Sequence, residues 1–119
     1  MDPRRAFGNR GETRAADFLV AKGYEVLEQQ FRVEFGEVDL VCKDPEGWIV
    51  FVEVKTRKSL TSGLPEESVT GIKLKHLEAA GEAWLRAHAM ERAAHRYDVV
   101  AITEDISGQV LDILHLEGV

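Results

Sequence analysis

Two runs rich in β-branched and aromatic residues, Glu37 to Lys43 and Trp48 to Lys55, flank the tetrapeptide Asp44-Pro45-Glu46-Gly47. This juxtaposition constrains the chain more than any other feature. Proline suits the second position of a type I turn, and glycine supplies the left-handed residue after it, so the tetrapeptide predicts a hairpin with the loop Pro45-Glu46-Gly47. Such a loop pairs Asp44 with Trp48. Counting back, Asp39 falls opposite Glu53 and Glu37 opposite Lys55, and directly opposed residues share a face of the sheet. Glu37, Asp39, Glu53 and Lys55 are therefore expected on one side. Val38, Leu40, Cys42, Val50, Val52 and Val54 are expected on the other, an apolar set fit for a core. A loop one residue shorter or longer would slip the register and put Asp39 and Glu53 on opposite faces.

The remaining elements fall around this hairpin. Ala15, Ala16, Leu19 and Val20 form an apolar stripe at helical spacing, which predicts a helix from about Asn9 to Lys22 with Gly23 as its C-terminal cap. Glu12 lies on that stripe. It is either a partnered carboxylate on a buried face or a first-turn acid that favours the helix dipole. Tyr24 to Val33 reads as a strand. Ser59 to Val69, with Gly63 and Pro65, reads as an irregular segment, and Thr70 as the cap of a second helix from about Gly71 to Ala89. Tyr97 to Ile102 reads as a strand buried on both faces. Following a helix, it should pair parallel to an earlier strand by a crossover. Val110 to Leu116 reads as an edge strand. The expectation is an α/β fold, with helices covering both faces of a mixed sheet.

A length of 119 residues fits one domain, residues 1–119, with a core from about residue 8 to residue 116. The single cysteine, Cys42, sits in an apolar run and reads as a buried, inert thiol. The basic N-terminus lacks the apolar segment of a signal peptide, and no apolar run approaches membrane-spanning length. The expectation is a cytoplasmic protein with no membrane partner. The net charge of −6 counts against a nucleic-acid partner. The distribution softens this, because Arg4, Arg5, Arg10 and Arg14 cluster at the start, Lys55, Arg57 and Lys58 form a second group, and Lys73 with Lys75 a third.

Two carboxylates facing each other, Asp39 and Glu53, repel at neutral pH, and such a pair either raises one pKa or recruits a cation. Magnesium-like cations prefer a few carboxylate oxygens completed by water and phosphate oxygens. Lys55, on the same face, could orient or help deprotonate an attacking water, or stabilise charge on a phosphate. The competing reading is a cross-strand salt-bridge patch on a solvated face, which Glu37 opposite Lys55 would serve. The sequence has no glycine-rich phosphate loop, cysteine-pair zinc site or serine elbow. His76, His88, His95 and His115 have no clear ligand spacing.

Gly36-Glu37-Val38-Asp39-Leu40-Val41, followed by Val50-Phe51-Val52-Glu53-Val54-Lys55-Thr56-Arg57, resembles the D…(D/E)xK signature of the PD-(D/E)XK nuclease superfamily. More narrowly, the chain is similar to the YraN family, small bacterial proteins related to Holliday-junction resolvases. Gly11-Glu12, Ala15-Ala16, Phe18-Leu19, Gly23-Tyr24, Lys73, Ala83-Trp84-Leu85 and Tyr97 to Ile102 carry that likeness from about Gly8 to Ile102. The resemblance implies a restriction-endonuclease-like three-layer αβββαβ core. It implies that Asp39, Glu53 and Glu12 are metal ligands for Mg²⁺ or Mn²⁺, and that Lys55 is the catalytic lysine. Arg57, Lys73 and Arg10 are the expected nucleic-acid contacts. Glu37 departs from the literal proline-aspartate form. The implied function is a metal-dependent endonuclease acting on DNA, branched or single-stranded structures included, with a homodimer as an assembly left open. The alternative is a non-catalytic nucleic-acid or protein-binding module that keeps the fold.

Overall fold

The tetrapeptide at the hairpin forms the turn its residues demand. Asp44 N–H donates to Trp48 O and Gly47 N–H to Asp44 O, each at 2.9 Å, and Gly47 takes a φ of +92°. The Asp44 carboxylate caps the loop by accepting from the backbone N–H groups of Glu46 and Trp48. In this computed structural model, which describes residues 3–59 and 71–119 and side chains in 10–59 and 73–119, the order is α1 (Pro3–Ala21), β1 (Glu25–Val33), β2 (Gly36–Lys43), β3 (Ile49–Lys58), α2 (Gly71–Ala87), β4 (His95–Glu104) and β5 (Val110–Leu116). The strands lie in the order β1-β2-β3-β4-β5. β3 and β4 run parallel across the α2 crossover, and the other neighbours are antiparallel. The irregular segment read at Ser59 to Val69, beyond Ser59, and the Thr70 cap lie outside the described residues.

Alternation along β3 builds two cores. Val50 and Val52 pack with Leu40, Cys42, Val100 and Ile102 under Ala15 and Leu19 of α1. Ile49 and Phe51 point the other way, with Val41, under Leu77, Ala80, Trp84 and Leu85 of α2. The sheet is therefore sandwiched between helices, a three-layer α/β arrangement. Each large apolar side chain buried here contributes roughly 1.5–3 kcal/mol, so the central hairpin is the most heavily anchored part of the sheet. The helices also end as their residues dictate: Gly23 N–H donates to Val20 O and Tyr24 N–H to Leu19 O, a Schellman closure of α1.

Three elements extend past their sequence-based limits. α1 begins at Pro3 rather than Asn9, because proline is preorganised for a first helical turn. β3 continues to Lys58 and β4 spans His95 to Glu104, because their parallel ladder runs unbroken from Ile49↔His95 to Lys58↔Glu104. At its end Glu104 is fully buried, with Arg14, Lys58 and Arg10 gathered around its carboxylate. Burial opposes its ionisation, but Lys58, Arg10 and Arg14 outweigh that and hold the carboxyl below its ordinary range. Asp98, also fully buried, is matched in the same way. It accepts from Arg96 Nε at 3.1 Å and Gly118 N–H at 3.0 Å, and lies 2.8 Å from His115 Nε2.

Candidate active site

The β2–β3 ladder holds the expected register, Leu40↔Val52 to Lys43↔Ile49, and its pairing stops there although both strands continue. The next residues in register are Asp39 and Glu53. Asp39 fills the gap with its side chain: Oδ2 accepts from Val54 N–H at 2.7 Å. A carboxylate thus takes over a backbone donor that the diverging partner strand no longer meets.

The expected single face does not form, and the reason lies in β1. Gln30, which falls opposite Asp39 between the pairs Gln29↔Leu40 and Phe31↔Val38, has a φ of 53°. A left-handed residue inside a strand breaks the two-residue alternation. Val38 consequently packs in the α2-side core, whereas Leu40 packs in the α1-side core. Val38 was expected beside Leu40, and this is the correction. Asp39 is carried toward α1, where it meets Glu12. One carboxylate oxygen from each of Glu12, Glu37 and Asp39 lies within 4.8 Å of the others.

Glu12 reaches this point because α1 packs tightly on β3. A Cβ on Gly11 would come within 2.5 Å of Thr56 Oγ1, so glycine permits the contact. With α1 starting at Pro3, Glu12 lies well inside the helix, and the first-turn reading does not hold. Its partner is Gln30, whose side-chain amide donates to Glu12 Oε2 at 2.9 Å.

Glu53 is turned to Lys55, with Lys55 Nζ 3.0 Å from Glu53 Oε1. Glu53 and Glu37 line one open groove of about 530 Å³, together with Arg32, Phe35, Lys73 and His76. Glu37 thus belongs to both the carboxylate trio and the groove wall. Burial pushes the Asp39 carboxyl up to about 7, its bond from Val54 opposes the rise, and the charges of Glu12, Glu37 and Glu53 add to it. Burial disfavours the Lys55 ammonium, but Glu53 and Asp39 overcome this and raise its pKa above the usual lysine value. Lys73 is lowered by its contact with Lys55.

The sequence-derived residues therefore separate into groups. Glu12, Asp39, Glu53, Lys55 and Lys73 form one electrostatic neighbourhood. Arg10 lies at Glu104, with its Nη2 3.6 Å from the carboxylate. Arg57 sits half-buried on β3, opposite Thr103. Gln30 and Glu37 were not among the expected ligands. The polar run Glu28-Gln29-Gln30, which interrupts alternation in β1, is the signal that points to Gln30. A second trio of ligand-type residues, Asp98, His115 and Glu117, differs in kind. Arg96 serves Asp98 and Asp44, and Lys22 Nζ lies 2.7 Å from His115 Nδ1, so protein cations already neutralise it.

A family model described as "Uncharacterised protein family UPF0102" matches residues 11–102. A UPF0102 protein of Caldicellulosiruptor saccharolyticus is 42% identical over 110 residues, covering 92% of each chain. One from Trichlorobacter lovleyi is 46% identical over 98 residues, 82% of this chain and 77% of the relative. One from an Arthrobacter species is 40% identical over 119 residues, 100% of this chain and 99% of the relative. The matched span runs from the glycine before Glu12 to Ile102 in β4, and the chain belongs to the UPF0102 family, the YraN-like proteins.

Proposed function

We propose that this protein is a metal-dependent nuclease of the PD-(D/E)XK type that hydrolyses phosphodiester bonds in DNA. The observation that carries the reading is the Glu12, Glu37 and Asp39 trio, three carboxylates within 4.8 Å, in which Glu12 accepts from the Gln30 amide, Asp39 accepts from Val54 N–H, and Glu37 meets the exposed Arg32 at 3.2 Å. Like charges held this close, with Asp39 pushed up to about 7, suit a donor set for a hard divalent cation. Magnesium or manganese fits that chemistry. Glu12, Glu37 and Asp39 would hold it, with Glu53 on the adjoining groove wall. When bound, the cation supplies Lewis-acid polarisation of a phosphoryl oxygen and an acidified water.

The chain's own groups divide the remaining work. Val54 N–H fixes one oxygen of Asp39, and the Gln30 amide fixes one oxygen of Glu12, so both carboxylates are oriented before a ligand arrives. Lys55, held by Glu53 and kept protonated at neutral pH, acts as a fixed positive donor that orients the nucleophilic water or stabilises charge on the phosphate; it is not poised to be the base. Lys73, beside Lys55 and on the groove wall with Glu53, supplies a second cation toward the phosphate backbone. Acidic and basic walls side by side answer the objection raised by the net charge of −6.

The second reading, a non-catalytic binding module, draws on the Glu53–Lys55 pair at 3.0 Å, which neutralises part of the cluster internally. One experiment separates the two. The purified protein is incubated with labelled single-stranded, duplex, flap and four-way-junction DNA, in manganese or in chelator. The nuclease reading expects cleavage in manganese only. Binding without cleavage in either condition supports the module.

A further inference from the structure

Phe35 is an exposed aromatic residue on the groove lined by Glu37, Glu53 and Lys73. Its side chain is 69% exposed among the described residues. It sits with Glu34 in the tight turn joining β1 to β2, after the closing pair Val33↔Gly36. That turn is fixed in place. A Cβ on Gly36 would come within 2.1 Å of the His76 carbonyl oxygen, so the backbone next to Phe35 lies flat against α2. The ring is therefore presented by a clamped backbone, close to Glu37, Glu53 and Lys73 in one continuous groove. Arg32, on the same rim, pairs with Glu37 at 3.2 Å.

Resting on the nuclease reading above, we propose that Phe35 is a stacking platform for an unpaired base adjacent to the cleaved phosphate. An aromatic face held at a groove whose basic lining is Arg32 and Lys73 matches how unpaired strands are bound, with cations tracking the phosphates and rings receiving the bases. A paired base keeps both faces inside the duplex and cannot use the platform. The substrate class that follows is DNA with unpaired nucleotides at the cleavage point, rather than continuous duplex.

The test uses the full chain with Phe35→Ala, Phe35→Leu and Phe35→Trp. Because the side chain is exposed, all three should melt like wild type. Oligonucleotides carry 2-aminopurine at successive positions, in calcium to restrain cleavage, and cleavage rates are then taken in manganese on single-stranded and duplex DNA of one sequence. The expected result is quenching at one position with wild type and Phe35→Trp that is lost in Phe35→Ala and Phe35→Leu. Alanine and leucine should slow single-strand cleavage about tenfold to a hundredfold, the range for losing one stacked base, and leave any duplex rate within about twofold. If wild type cuts DNA but all variants keep its single-strand rate and quenching, the platform is wrong and the nuclease reading stands. If wild type neither binds nor cuts DNA, both are wrong. A loss in Phe35→Ala that leucine restores overturns stacking in favour of simple apolar contact.

Discussion

Asp39 Oδ2 accepts a 2.7 Å hydrogen bond from the backbone N–H of Val54, at the point where β2 and β3 cease to pair. The bond holds a half-buried carboxylate in the mouth of the strand wedge, between Glu12 and Glu37 on one side and the Glu53–Lys55 pair on the other. An acid in such a position stabilises the fold only in its protonated form.

Asp39→Asn should therefore stabilise the metal-free protein. The folded-state pKa of about 7 exceeds the ordinary 3.8, so the contribution of the protonated acid is complete below about pH 4 and is lost as pH rises through 7. The asparagine carbonyl can still accept from Val54 N–H, and it carries no charge. Thermal melts in chelator should show variant and wild type nearly equal near pH 4. The variant's advantage should grow, by up to roughly 1.4 kcal/mol per pH unit, until it levels off above pH 7. A variant that melts lower than wild type at pH 8 would instead mark the cluster as a stabilising salt-bridge network.

The same proton competes with the cation. Manganese affinity, measured by calorimetry, should fall by about tenfold per pH unit below pH 7, because one proton must leave Asp39 as the metal binds. An affinity that stays flat from pH 5 to pH 8 would separate Asp39 from the metal.

Gln30 makes a prediction of two signs. Its φ of 53° is costly for a side-chain-bearing residue and unstrained for glycine, so Gln30→Gly should be neutral or stabilising by about 1 kcal/mol. Gln30→Ala keeps the strain and should be less stable than the glycine variant. Both remove the amide donor to Glu12, and both should weaken manganese binding by about tenfold to a hundredfold. Unchanged affinity in both variants would reduce Gln30 to a backbone feature.

Much of this arrangement was legible before any coordinates. The Asp44–Gly47 turn dictates the β2–β3 register, and the apolar run from Val99 to Ile102 dictates a doubly buried parallel strand. The polar run Glu28-Gln29-Gln30 marks an interruption of β1, but the positive φ at Gln30 was not legible, because backbone strain is carried by tertiary packing rather than by the residue's own preference. It moved Val38 to the other core and drew Asp39 to Glu12 and Glu37. Arg10 and Arg14 read as a basic surface, yet the buried Glu104 on β4, distant in sequence, accounts for much of their charge. No local pattern reveals that a carboxylate at a strand end will be buried.

Lys55→Ala should lower cleavage by about a hundredfold or more, on the scale of losing one electrostatic or acid–base group, while manganese binding stays nearly intact. Lys55→Arg should rescue only partly. Its planar fork is bulkier than the compact ammonium that fits between Glu53 and Lys73. Full activity in the arginine variant would show that only charge is needed at this position, and full activity in alanine that Lys55 is not part of the chemistry.

The most direct test of the central claim is a cleavage time course on single-stranded and junction DNA in manganese, with wild type and Asp39→Asn purified side by side. The prediction is that wild type cuts, that chelator abolishes cutting, and that Asp39→Asn falls by about a hundredfold or more while melting no lower than wild type. Equal cutting by both proteins, or no cutting by a wild type that calorimetry shows to be metal-loaded, would contradict the assignment of the Glu12, Glu37 and Asp39 cluster as the centre of a nuclease.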